Sequence, residues 1–167
     1  GFKKGPLTAC CEEFELLVEG EGGHGARPYT TKDPIAAATQ LVQSLYAMVP
    51  RSLDSRQPHV LSIGVIQGGI NPNVIPDSVQ LRGTLRSTSR RDSDAVKDKI
   101  REIARHVGSL TGTRIDFSIA YSLEGVYNDP EVIATCREAC LDLMPGGAVE
   151  LPLPSMGGED FAFYIQS

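Results

Sequence analysis

An α+β fold, one antiparallel sheet of four strands with two helices on a single face, is what the sequence predicts for residues 12–120. Three observations carry it. Four segments alternate apolar and polar residues, two segments repeat apolar residues at three- and four-residue spacing, and their order along the chain is βαββαβ. That order is the ferredoxin-like plan, in which both helices cover one face of the sheet and leave the other free.

Each element has its own signal. From Glu13 to Gly20 the apolar Phe14, Leu16 and Val18 alternate with acidic residues, which makes a half-buried first strand. A glycine-rich turn, Gly20 to Gly25, follows. Asp33 is an N-cap with Pro34 at the first helical position, and Ile35, Ala38, Val42, Leu45 and Val49 form one stripe that Pro50 stops. Val60 to Ile66 is a β-branched run closed by Gly68 and Gly69, and Ser78 to Arg86 alternates strictly. The polar stretch Ser87 to Asp94 leads to a second helix with the stripe Val96, Ile100, Ile103 and Val107, ended by a turn at Gly108 to Gly112. Ile115, Phe117, Ile119 and Tyr121 mark the fourth strand.

The pattern changes after Tyr121. Asn128, Asp129 and Pro130 open a helix to about Leu143, Pro145-Gly146-Gly147 breaks it, and Ala148 to Leu153 reads as a short strand. The loop Ser155 to Phe161 holds two glycines and two carboxylates ahead of another helix start. One helix, one strand and one loop cannot bury a core, so residues 121–167 are expected to belong to a larger layer.

Composition narrows the partners. A net charge of −5 disfavours a phosphate backbone or an anionic membrane surface. No apolar run approaches the roughly 18–20 residues of a membrane span, and the first residues lack a secretory apolar stretch. The expected partner is a small molecule, with neither nucleic acid nor membrane, and the expected location is the cytoplasm. The four cysteines, Cys10, Cys11, Cys136 and Cys140, have no zinc-site spacing and read as reduced thiols.

Three residues and one turn carry chemistry. Gly20, Gly22 and Gly25 match the dinucleotide fingerprint by letter, but no helix opens directly after them and no acidic residue ends the second strand, so that reading fails on context. His24 sits inside this turn, where an imidazole is exposed and can donate to a developing oxyanion; on the motif alone a structural role is equally open. Asn73, in the turn before the third strand, has both donor and acceptor capacity, although a turn Asn often only satisfies local backbone. Arg86, near the end of the third strand on the helix-free face with Gln80, Arg82 and Thr84, is suited to grip a carboxylate or simply to be solvated. Together the three are candidates to converge on one small anionic ligand.

The segments GEGGHGARP, DPIAAA, GGINPNVIPD, LRGTLR, NDPEV and MGGEDFAFY resemble, in order and spacing, the metal-dependent amidohydrolases that include aminoacylases, hippurate hydrolases, auxin-conjugate hydrolases and carboxypeptidases. The resemblance implies a catalytic domain with two divalent metals, zinc or manganese, interrupted by a ferredoxin-like lid that also forms a homodimer. Residues 1–11 would be a connection from the catalytic domain, 12–120 the lid, and 121–167 a partial catalytic-domain segment. By the same resemblance His24 would reach the partner subunit's active site as an oxyanion donor, Asn73 and Arg86 would bind the substrate's carboxylate or carbonyl, and Gly157 and Gly158 would line that pocket with backbone groups. Tyr29 departs from the pattern, standing where a histidine is common. No Cys or His of the chain matches a metal position, and the general base lies in stretches outside it. The chain alone is therefore expected to be inactive and metal-free, while the complete enzyme hydrolyses N-acyl amino acids or small peptides. The alternative is a non-catalytic ferredoxin-like module for ligand binding or oligomerisation, which the MGGEDFAFY segment argues against.

Overall fold

The computed structural model describes residues 1–144, 146–147 and 149–165. Its centre is a sheet of four strands, β1 (Cys10–Glu19), β2 (His59–Gln67), β3 (Ser78–Ser87) and β4 (Arg114–Leu123), in the order β2-β3-β1-β4. All neighbours run antiparallel. Helix α1 (Pro34–Met48) connects β1 to β2, and α2 (Arg90–Thr111) connects β3 to β4. The predicted βαββαβ plan is present.

Both helices lie on one face because a single core cluster takes Phe14, Leu16 and Val18 from β1 and Leu81 and Leu85 from β3, and closes over them with Leu41 and Leu45 of α1 and Val96 and Ile100 of α2. Alternation along the strands supplies the sheet half of this core, and the 3.6-residue stripes supply the helical half. Gly83 faces the core opposite Phe14, where a Cβ would come within 2.5 Å of the Phe14 ring; its missing side chain is what seats that ring, which also packs 6.0 Å from Phe117.

The helix ends follow local chemistry. Asp33 accepts from the backbone N–H of Ile35 at 2.8 Å and of Ala36 at 3.2 Å, and Pro34 occupies the first turn. In α2 the Ser89 side chain accepts from Asp92 N, so the helix begins at Arg90, inside the stretch expected to be an irregular lead-in. Gly112, in the left-handed conformation at φ 69°, ends it. β1 also starts earlier than its alternation indicated, at Cys10 rather than Glu13.

Residues on either side of the sheet domain meet each other. Gly5–Pro6 pairs with Tyr127–Asn128, and isolated parallel bridges join Phe2 to Glu150 and Thr8 to Ser155. The strand expected at 148–153 is absent from its described part: Ala148 lies outside the described residues, and 149–153 make only the Glu150 bridge, because an isolated segment has no sheet here to join. Helix α3 (Pro130–Leu143), capped by Asp129, buries none of its residues. Leu143, Leu153 and Tyr164 are more than 70% exposed, so this region carries much apolar surface, and its buried part is a small cluster of Leu123, Val126 and Ala162 packed with Leu7 and Cys11.

Candidate functional site

The structure sorts the predicted site residues into two groups. His24 and Asn73 are brought together: Gly23–His24 pairs with Val74–Ile75, and the backbone N–H of Gly25 donates to Asn73 O at 2.8 Å. A Cβ on Gly22 would meet Ile75 O at 2.5 Å, so the turn approaches this hairpin as closely as only glycine permits. The Asp77 carboxylate accepts from Gly22 N at 2.9 Å and fixes the turn from below. Both His24 and Asn73 are exposed. The Ala26 backbone N–H donates to His24 Nδ1 at 3.1 Å, so in the neutral ring the proton sits on Nε2, which is then the ring's N–H donor.

Arg86 and the Gly157-Gly158 turn form the second group. Arg86 is half-buried, and its Nη1 donates to Met156 O at 2.9 Å and to Cys11 Sγ at 3.2 Å. Gly157 O accepts from Ala9 N at 3.3 Å, while Gly157 N donates to Ser155 Oγ at 3.0 Å. Gly158 packs against Leu123 and Cys11. The helix-free face is thus only partly open: Gln80 donates to Glu15 at 2.9 Å, Arg82 is exposed, and Arg86 is drawn toward the returning chain.

The two groups do not converge within one chain. His24 and Asn73 lie beyond the Ser78 end of β3, and Arg86 lies at its other end; from Ser78 to Arg86 an extended strand covers roughly 26 Å at about 3.3 Å per residue. No side chain bridges that span.

A further charged centre escaped the sequence reading. Glu12, 1% exposed on the helix side of β1, accepts from Lys97 Nζ at 2.8 Å, from Ser122 Oγ at 3.3 Å and from Ser93 Oγ in a short hydrogen bond, with Arg90 at 3.6 Å. Burial pushes its carboxyl up, but the Lys97 and Ser93 hydrogen bonds and the Lys97 and Arg90 charges together hold it below the ordinary value. Arg90 also pairs with Glu124 at 2.6 Å. The signal was a carboxylate in phase with Phe14 and Leu16, a core position that a charge occupies only with partners.

Among the described residues, no three His, Cys, Asp or Glu side chains cluster so as to hold a metal ion. No helix there is long and apolar enough to cross a membrane. All four cysteines are free thiols.

A sequence profile of the M20 peptidase dimerisation domain matches residues 11–110, a span that holds β1 to β3 and both helices and stops just short of β4. The chain belongs to the M20 dimerisation-domain family. Its M20 relatives include N-acetylcysteine deacetylase of Bacillus subtilis, 37% identical over 98% of this chain and 43% of the relative. N-acetyldiaminopimelate deacetylase of Leuconostoc citreum is 38% identical over 97% of this chain and 42% of the relative. A dinuclear metal-binding M20 peptidase of Bacillus subtilis has the same fold, with a TM-score of 0.78, 30% identity, and coverage of 99% of this chain and 40% of that one. This M20 chain therefore spans about two-fifths of the length of the relatives it matches.

Proposed function

We propose that this chain is the substrate-gripping, dimer-forming part of a metal-dependent amidohydrolase that cleaves N-acyl amino acids or related small amides and peptides. Two named relatives are deacetylases of N-acetylated amino acids, which supports that substrate class. The observation that carries the reading is the separation of the two half-sites. His24 presents an Nε2–H donor at one end of the sheet, and Arg86 presents a guanidinium at the other, so each is half of a site that only a second subunit completes.

In this reading Arg86 holds the substrate's carboxylate in its own subunit's site, beside the backbone of Gly157 and Gly158. His24 and Asn73 of the other subunit approach the scissile carbonyl, His24 donating to the oxyanion as it forms. A two-fold dimer repeats the arrangement twice. Strand β2 suits such an interface, for it pairs only with β3 among the described residues and exposes Val60 and Ile66 at the sheet edge. In this proposal residues 1–11 are the connection from the catalytic domain, 12–120 the lid and 121–167 a partial catalytic-domain segment. The two metals, zinc or manganese, find no donor set among the described residues and in this reading are held elsewhere in the complete enzyme, which leaves the isolated chain inactive.

Subunit mixing tests the arrangement. His24→Ala and Arg86→Ala should each be nearly inactive as homodimers of the full-length enzyme. Mixed and allowed to exchange, they form heterodimers in which one site receives both native residues, restoring about a quarter of native activity at statistical mixing. No restoration despite confirmed exchange would place both residues in one subunit's site and sink the proposal.

A further inference from the structure

Arg86 holds its charge without a counter-charge: among the described residues no carboxylate pairs with it. Its Nη1 has two N–H bonds, and both end on the protein, at Met156 O and at Cys11 Sγ. Cys11 is the direct cross-strand partner of Arg86 between β1 and β3, on the same side of the sheet. The sulfur is itself held. It lies 3.7 Å from Ala9 O, to which the thiol donates, and a Cβ on Gly158 would stand 3.2 Å from it, so the glycine lets the returning chain close on the thiol. Burial pushes the thiol's pKa up against the pull of Arg86, which keeps it neutral. What remains of the guanidinium is the Nε–H and the two Nη2–H bonds, the edge that meets a carboxylate with two parallel hydrogen bonds.

We infer that Cys11 is the positioning residue of Arg86: a neutral sulfur fixes one edge of the guanidinium and leaves its charge and its two-pronged edge to the substrate's carboxylate. The inference rests on the reading of Arg86 as carboxylate anchor. An acidic side chain at position 11 would orient Arg86 equally well but neutralise it. A side chain without an acceptor would leave it neutralised by nothing and oriented only by Met156 O.

The test compares N-acetyl-L-methionine with its primary carboxamide as substrates of the full-length holoenzyme, as the ratio of their kcat/KM values. Cys11→Ser should keep the wild-type ratio, Cys11→Ala should lower it about fivefold through KM for the acid, and Cys11→Asp should lower it more than about tenfold. A structural defect would lower both substrates together and leave the ratio alone. A Cys11→Asp ratio equal to wild type overturns the inference. If wild type does not discriminate the two probes, or Arg86→Ala leaves their ratio unchanged, the reading of Arg86 fails instead.

Discussion

At the scale of single residues, the buried ion pair sets a pH limit on the fold. The Glu12 carboxyl lies below its ordinary value of 4.5 in the folded state, so its contribution is fully present above that value and is lost as pH falls through the folded one. Burial pushes Lys97 down, but Asp94 and Glu12 raise it further, so its contribution is present below 10.5 and lost at more alkaline pH. Lys97→Met should cost about 3 kcal/mol at neutral pH, since it strands a buried carboxylate with two hydroxyls and a more distant Arg90. The double variant Glu12→Leu with Lys97→Met should recover most of that loss in chemical denaturation. A double variant as unstable as the sum of its single changes would show that the pair does not act as a unit.

At the scale of elements, what could be read in the sequence was what repeats locally. Phe14, Leu16 and Val18 announced β1, and Asp33 with Pro34 announced α1, because a strand's period and a helix cap need only neighbouring residues. The start of β1 at Cys10 was hidden, since Glu12 occupies a core position and breaks the apolar pattern that Lys97, far along the chain, makes tolerable. His24, Asn73 and Arg86 stood out by residue type and setting, whereas the contact of Cys11 with Arg86 depends on strand register and left no local trace. The register also gives Gly83 its role. Gly83→Ala should destabilise the fold by about 1–3 kcal/mol, because the added Cβ meets the Phe14 ring at 2.5 Å and the Ser62 carbonyl closer still. Unchanged thermal stability of that variant would mean that β2 and Phe14 yield freely.

At the scale of the whole molecule, the proposed dimer gives one edge of the sheet to a partner and its two ends to chemistry. Ile66, 63% exposed on β2 beside Ile35 and Val42 of α1, is the apolar group best placed to be covered by a second subunit. Ile66→Lys should shift the full-length enzyme toward monomer in sedimentation velocity and lower activity in proportion, since in the proposed arrangement each site takes residues from two chains. A dimer of undiminished affinity would locate the interface away from β2.

The turn that carries His24 follows directly from the end of β1 that lies opposite Cys11, and β3 runs beside β1 in register from Ser78 to Ser87. In the proposed dimer the strands are in effect a ruler between two reaction centres, and rulers constrain evolution. A two-residue deletion in β1 and β3 would keep every side chain on its proper face, yet shorten the span by about 7 Å and misalign both centres of a dimer at once. Length changes should therefore accumulate among lineages in the exposed stretch between Asp54 and Pro58, while these two strands hold a constant count.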